Sequence, residues 1–182
     1  VKHVEECFPF RWKKSITWIN IDGIHDPKII QDIGKHFGFH SLLLEDIMNN
    51  EQRPKIETFE DHIFIILKML SYAKKEVATE QISILIGKNF VISFQESEGD
   101  IFDPIRKRIR DNKGKLRKRG SDYLAYSLID AIVDHYFAVL EKLEEQIEEA
   151  EESINRPTAE TIKIMHQLKR QTISLQRSIW PL

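Results

Sequence analysis

Four carboxylates stand where they could hold a divalent cation. Asp130 and Asp134 are four residues apart in a segment with helical periodicity, so their side chains project from one face about one turn apart. Glu45 and Asp46 are adjacent near the end of a short predicted helix. Mg²⁺ prefers oxygen ligands, keeps several waters and usually takes only one or two protein carboxylates. These pairs therefore suffice for a magnesium site, although an acidic pair of this spacing is more often part of a solvated helix face.

The sequence lacks the short patterns that mark catalytic and zinc sites. Its seven histidines include no HExxH motif and no Cys/His cluster at zinc-ligand spacing. It also has no glycine-rich phosphate loop, no GxSxG elbow and no Cys/His/Asn set that points to catalysis. A magnesium-dependent hydrolase that used the paired aspartates would need a base or nucleophile, which we do not find. The sequence therefore predicts a protein that is not an enzyme.

Two runs of like charge are interpreted as solvated surface. Residues 106–119 include nine basic side chains and one acidic, but no aromatic residue is interleaved, so we predict a solvated helix and loop rather than a nucleic-acid site. Residues 141–152 include seven acidic side chains and one lysine. The alternative for the acidic run is a surface that weakly attracts Mg²⁺ and raises its local concentration.

Composition favours a soluble segment in a reducing compartment. The single cysteine, Cys7, excludes an internal disulfide. The longest strictly apolar run, residues 63–67, is far shorter than the roughly 20 residues of a membrane helix. Residues 1–120 contain 21 basic and 18 acidic side chains, whereas residues 121–182 contain 6 and 11. The chain is therefore nearly neutral as a whole, with an acidic second part.

The first part alternates strand and helix signals. Residues 15–21 are rich in β-branched and aromatic side chains and predict a strand. Asp26 and Pro27 supply a cap and a first-turn proline for a helix that ends at Gly38, and Ser41 is predicted to cap the short helix LLLEDIMN. Three further strands are predicted at residues 63–72, 81–86 and 90–95, and another short helix begins at Asp103-Pro104.

The second part predicts two long amphipathic helices. Apolar residues recur at three- and four-residue steps in the first helix, at Leu124, Leu128, Ile132, Tyr136, Val139, Leu143 and Ile147. Thr158 caps the second, whose apolar positions are Ile162, Met165, Leu168, Ile173, Leu175 and Ile179. Asn155-Arg156-Pro157 permits a reversal between them. We predict an α/β (α+β) fold, a mixed central sheet flanked by helices and followed by a long antiparallel helical hairpin, in two domains at residues 1–120 and 121–182.

Four blocks of sequence resemble CorA magnesium channels. In residues 17–70, LLLEDI is followed by QRPK and then by a strand that ends in ILKM. The other blocks are FQESEGDIFDPIRKRIR, DYLAYSLIDAIVDHYFAVLEKLEE and HQLKRQTISLQRSIWPL. They follow one another in the family's order and cover most of the chain. The sequence is therefore identified as a member of this family.

The resemblance implies a funnel-shaped homopentamer. An α/β/α domain on the cytoplasmic side of the cell (inner) membrane would precede a stalk helix and two membrane helices. The family's Gly-Met-Asn pore signature is absent from these residues, as are the stalk and membrane helices. We therefore expect a truncated, non-conducting segment that reaches the membrane only through missing C-terminal helices, with no nucleic-acid partner.

The resemblance also assigns the metal ligands. It implies that regulatory ions lie between subunits, with Asp46 on one side of a primary site and Glu45 in an adjoining site. Asp130 and Asp134 match helix aspartates that complete the adjoining site from the facing surface. The ion would be Mg²⁺, or Co²⁺, Ni²⁺ or another divalent cation, and its binding would favour the closed state. Two alternatives stay open, the zinc-transporting branch of the superfamily and a metal-free assembly scaffold.

Overall fold

The computed structural model describes residues 3–154 and 158–181. In this part of the chain, a 3₁₀ helix at Val4–Trp12 precedes five strands and five α-helices. The strands are β1 (Thr17–Asp22), β2 (Lys55–Thr58), β3 (His62–Ala73), β4 (Glu76–Gly87) and β5 (Phe90–Gln95). The helices are α1 (Pro27–Phe37), α2 (Ser41–Met48), α3 (Asp103–Arg110), α4 (Ser121–Ile154) and α5 (Ala159–Ile179).

The strands form one sheet in the order β1-β5-β4-β3-β2. β1 pairs with β5 in parallel, and the other three neighbouring pairs are antiparallel. β3 and β4 are joined by a tight turn in which Lys74 and Lys75 both have positive φ, as two-residue hairpin turns require. The predicted mixed sheet is therefore confirmed, with β2 as a short strand at one edge.

Alternating side chains of the sheet bury two separate cores. On one face, Phe64 and Ile66 of β3 pack with the apolar residues of α1 and α2. On the other face, Ile65 and Leu67 pack with α3, α4 and the end of α5. Because both faces are covered, the central strands are almost continuously apolar. The helices consequently lie in two layers, and each layer presents its own outer surface.

Helix α4 spans the sheet with one buried stripe. Leu124, Leu128, Ile132 and Tyr136 are buried in the core below the sheet, and the Tyr136 hydroxyl donates to the Lys68 carbonyl of β3. Of the described helices, only this one, over Ser121–Glu152, is long and apolar enough to cross a membrane by length and composition. Since its apolar stripe packs on the sheet, we describe it as a core helix of this domain.

The helical hairpin is confirmed, although its reversal at residues 155–157 lies outside the described residues. Leu168 of α5 packs near Leu143 and Ala150 of α4, whereas Leu175, two turns later, joins the core that contains Val139. The two helices therefore run antiparallel. Whether residue 120 divides two domains stays a prediction, since the first half of α4 packs on the sheet.

Several local predictions need correction. The cap of α2 is His40 and not Ser41, because the His40 side chain accepts from the Leu42 amide. β4 begins at Glu76 rather than at residue 81, since pairing with β3 extends the hairpin through polar positions. Neither the 3₁₀ helix nor β2 is predicted from the sequence, because neither carries a strong apolar period.

The buried face of α5 is polar where the sequence predicts apolar contacts. Ile162, Met165 and Ile173 are exposed, as is Ile147 of α4, whereas the buried positions include Thr161, Gln171 and Ser178. The tip of the β3–β4 turn explains part of this difference. Its Lys75 carbonyl accepts from the amides of three glutamines, which are Gln146, Gln167 and Gln171. Of these, Gln171 is buried and reaches the carbonyl with its amide, so an amide side chain occupies a position where the sequence pattern suggests an apolar one.

Candidate metal-binding site

Helix α2 places Glu45 and Asp46 at the outer surface of its layer. Leu43, Leu44 and Ile47 are buried against the sheet and fix the orientation of this short helix. Glu45 is exposed, and its side chain has no ion pair with the residues that the structure describes. Leu42, one turn before Asp46, is 64% exposed. We call Leu42, Glu45 and Asp46 the α2 surface.

Asp46 already has two polar partners. Its Oδ1 accepts from Gln52 Nε2 at 2.7 Å and its Oδ2 from Lys55 Nζ at 2.6 Å. The same ammonium also donates to Glu57 Oε1 at 2.7 Å. Burial lowers the pKa of Lys55, but the hydrogen bonds to Asp46 and Glu57 outweigh this effect, and its pKa is raised overall. The charged Lys55 ammonium thus lies between two carboxylates, at a position suited to a cation.

Helix α4 presents Asp130 and Asp134 on its outward face. Both aspartates are exposed, and neither forms an ion pair within the described ranges. The charge of Asp130 and its hydrogen bond raise the pKa of Tyr126, one turn earlier. Tyr126 is 59% and Phe137 61% exposed. These four residues follow each other at three- and four-residue steps, so they share one face of the helix. We call them the α4 surface.

The two surfaces lie in different layers. The buried residues of α2 pack on one face of the sheet and those of α4 on the other. Among the described residues, no group of three or more His, Cys, Asp or Glu side chains could hold a metal ion. The structure therefore pairs Glu45 with Asp46 and Asp130 with Asp134, but does not bring the pairs together within one chain.

Sequence reasoning missed the residues that hold Asp46. Gln52 and Lys55 belong to the QRPK stretch, which serves above only as a family signature. The sequence did contain a signal for these contacts. Gln52 and Lys55 follow Asp46 by only six and nine residues, in the short loop between α2 and the start of β2, so they could be expected to lie near it. The sequence analysis also did not predict that Leu42, Tyr126 and Phe137 are exposed, because a periodic apolar pattern does not show which apolar residues remain at the surface.

Comparison with known proteins shows what the chain resembles. A cobalt/magnesium transport protein CorA from Thermotoga maritima is 52% identical over 182 residues, which cover 98% of this chain and 52% of that protein. The chain thus spans about half the length of this relative. The relatives are named as transporters, not enzymes, which is consistent with the sequence prediction.

Two solved structures share the fold. The complete CorA magnesium transporter from Methanocaldococcus jannaschii matches with a TM-score of 0.74 and 21% identity, over 90% of this chain and 52% of that one. The ZntB cytoplasmic domain from Vibrio parahaemolyticus matches with a TM-score of 0.73 and 18% identity, over 93% and 66%. At these identities, the likeness concerns the fold alone.

A family model settles which family this is. The model described as CorA-like Mg²⁺ transporter protein matches residues 13–182, which is nearly the whole chain. This match agrees with the 52% identity to the Thermotoga protein and with the shared fold of the soluble domain. The chain belongs to the CorA-like Mg²⁺ transporter family.

Proposed function

We propose that this chain is the cytoplasmic, divalent-cation-sensing domain of a magnesium transporter, and that Mg²⁺ bound between neighbouring copies favours the closed state. The observation that carries the proposal is the separation of the two acidic pairs. The α2 surface and the α4 surface lie in opposite layers of one domain. Glu45 of one copy and Asp130 of another can therefore share an ion only across an interface between copies.

Contact between two different surfaces of neighbouring copies is compatible with a ring. When one patch of a subunit binds a different patch of the next, the contact is heterologous and closes into a cyclic oligomer if the rotation allows. Leu42 on the α2 surface and Tyr126 and Phe137 on the α4 surface are large exposed apolar side chains. Apolar groups beside the acidic residues favour an interface over a solvated helix face. This arrangement supports the homopentamer that the family resemblance implies.

Electrostatics supplies the sensing. In the ring, Asp130 and Asp134 of one copy face Glu45 and Asp46 of the next, so that carboxylates repel across the interface. A divalent cation between them removes this repulsion and stabilises the closely packed state. The cation binds the packed ring better than the splayed one, so it shifts the equilibrium towards the packed ring, which we assign to the closed transporter.

The donor set fits Mg²⁺. The four candidate ligands are carboxylates, which hard cations prefer, and Mg²⁺ can retain water at the remaining positions. The Thermotoga relative is named for cobalt and magnesium transport, so Co²⁺ is a second candidate ion. Zinc is a weaker candidate although the ZntB domain has the same fold, because Zn²⁺ sites usually include His or Cys ligands.

The test uses cysteine cross-linking between the two surfaces. In a Cys7→Ser background, a chain with both Leu42→Cys and Tyr126→Cys is oxidised mildly with and without millimolar Mg²⁺. Since each chain would offer two different cysteines to two neighbours, we expect a ladder that ends at the pentamer and grows stronger with Mg²⁺. Each single-cysteine chain can form at most a dimer and serves as the control for random collision.

Neutral variants then test the role of metal. Adding Asp130→Asn and Asp134→Asn should abolish the Mg²⁺ effect on the ladder. The matched control adds Glu144→Gln and Glu148→Gln, which remove two exposed carboxylates at the same spacing on the same helix. If no ladder forms under either condition, the interface is wrong. If the ladder forms but its intensity changes neither with Mg²⁺ nor with the aspartate substitutions, the domain is a metal-free scaffold.

A further inference from the structure

A groove on the α4 side of the sheet collects positive charge. It has a volume of about 860 Å³ and lies between β1, α3 and the segment that leads into α4. Six cationic side chains line it, which are Lys14, Arg106, Arg110, Arg117, Lys118 and Arg119. No acidic side chain is among the described lining residues. The sequence predicts a solvated basic run here, but it does not show that the run folds around a concave site.

Only one of these six cations forms an ion pair with a residue that the structure describes. Arg106 donates to both carboxylate oxygens of Asp100, at 2.6 and 2.5 Å, and to Asp103 at 3.1 Å. The other five side chains form no ion pair with any residue in the described ranges. Like charges gathered in a concavity reinforce each other's field and attract anions. The groove therefore contains five cationic side chains that have no ion pair in the described part of this chain.

The floor of the groove is apolar and fixed. Trp18 donates its indole N–H to Ser93 Oγ at 2.9 Å and packs edge-on against Phe102. The Arg106 guanidinium lies 5.1 Å from the centre of the Trp18 ring. Leu116 and Leu124 are buried beside it. The site thus combines a partly apolar base with exposed cationic side chains around it, and a concave surface of this kind can bind a small charged ligand.

We propose that this groove binds a polyphosphate group, carried either by a nucleoside triphosphate or by inorganic polyphosphate. Arginine presents planar N–H pairs that match two phosphate oxygens at once, and three of the unpaired lining cations are arginines. A chain of phosphates supplies several negative charges within the length of the groove. Because no carboxylate lines it to hold a metal, the groove favours the phosphate chain free of Mg²⁺ over the magnesium complex.

A single-stranded nucleic acid fits less well. Such strands are usually bound by aromatic side chains on which the bases stack. Trp18 is the aromatic residue in the lining, and Arg106 already covers its ring. The groove therefore offers charge without an open stacking surface. An oligonucleotide is accordingly included in the test as the competing outcome.

Isothermal titration calorimetry tests the proposal on this chain, at low ionic strength without divalent cations. The probes are ATP, tripolyphosphate and adenosine. We expect one site per chain for both phosphate compounds, no binding of adenosine, and weaker binding of ATP when Mg²⁺ saturates it. Equal affinity for ATP and tripolyphosphate would assign the site to inorganic phosphate chains. Tighter binding of ATP than of tripolyphosphate would assign the site to a nucleoside triphosphate.

Charge reversal locates the site. Arg110→Glu with Arg117→Glu should weaken tripolyphosphate binding by at least about 10-fold, because two attractive charges become repulsive. The matched control is Lys107→Glu with Arg108→Glu, an equal change in the same basic run but outside the groove. It should change affinity by no more than about 2-fold. If the reversed chain fails to fold in thermal unfolding, Arg110→Gln with Arg117→Gln replaces it.

Three results would overturn the proposal. The first is the absence of binding heat with ATP and with tripolyphosphate at low salt. The second is an equal loss of affinity in the groove variant and in the Lys107→Glu, Arg108→Glu control, which would mean a diffuse basic patch. The third is an affinity for single-stranded oligonucleotides that exceeds that for tripolyphosphate and rises with their length. None of these results depends on whether Mg²⁺ binds between copies.

Discussion

The α2 surface and the α4 surface carry the same residue type in different electrostatic settings. Asp46 accepts two short hydrogen bonds, one of them from the charged Lys55, and is only partly exposed. Asp130 and Asp134 are exposed, and no described cation pairs with them. If a metal ion binds as proposed, at the α4 surface it would displace only water. At the α2 surface it must also compete with an ammonium group that is already in place.

This difference indicates which surface limits the affinity for a metal ion. Replacing a salt bridge costs the favourable interaction that it made, whereas exposed carboxylates lose mainly hydration. We expect the α4 surface to attract the ion first and the α2 surface to decide whether it stays. Under this proposal, Lys55 would compete with the ion and lower its affinity, through its contacts with Asp46 and Glu57.

The largest effect should come from removing the anchor of the α2 surface. Ile47 is fully buried, and with Leu43 and Leu44 it attaches an eight-residue helix to the sheet. Ile47→Ala should lower the free energy of unfolding by about 3 kcal/mol, because it loses buried apolar area and leaves a cavity. Urea unfolding measures the change. The control Leu42→Ala alters an exposed side chain and should stay within about 0.5 kcal/mol, so an equal loss in both would contradict this view of α2.

A smaller effect is expected from removing the competitor. Lys55→Met leaves Asp46 and Glu57 without their shared cation, which should cost about 1.5 kcal/mol in the absence of metal. Added Mg²⁺ should raise the melting temperature of this variant more than that of the wild type, because the ion no longer competes with an ammonium group. Thermal unfolding with and without Mg²⁺ measures both effects.

Lys142→Met provides the comparison for that experiment. It removes an ion pair with Glu145 on the exposed part of α4, away from the four candidate ligands. This variant should melt like the wild type and should not gain any extra response to Mg²⁺. If Mg²⁺ raises the melting temperature of both lysine variants equally, its effect depends on the net charge of the chain and not on the α2 surface.

The smallest effect is a titration shift at the α4 surface. The charge of Asp130 and its hydrogen bond hold the pKa of Tyr126 above its ordinary value. The phenolate is repelled by the carboxylate, so Asp130→Asn should lower this pKa, and Mg²⁺ at the α4 surface should lower it in the wild type. Carbon-detected NMR of labelled tyrosine can follow Tyr126, with Tyr72 as the internal control. If neither Asp130→Asn nor Mg²⁺ changes the pKa of Tyr126, the proposal that Asp130 is a metal ligand is wrong.

Regular elements could be predicted from the sequence because their signals are local. The helix from Pro27 ends at Gly38, whose positive φ suits the end of a helix, and the strand Phe90–Gln95 is correct at both ends. The apolar stripe of α4 could also be predicted, because its three- and four-residue spacing is a pattern within one continuous segment. In each case, neighbouring residues alone determine the backbone conformation.

Features that depend on distant partners could not be predicted. Gln171 is buried because it reaches a carbonyl of the β3–β4 turn, 96 residues earlier in the chain. The basic groove needs Trp18 of β1 to lie beside Arg106 of α3. The two acidic pairs are visible in the sequence, but their position in opposite layers follows only from how the sheet sorts its side chains.

Strand β2 limits how copies of this chain can associate. Within the described sheet β2 pairs only with β3, so its outer side is a sheet edge, where another strand could add and start an aggregate. β2 is only four residues long, Pro54 precedes it, and Lys55 and Glu57 place charge on it. Such short, charged edges resist extension of the sheet. Strand addition at β2 is therefore disfavoured as a way for copies of this chain to associate.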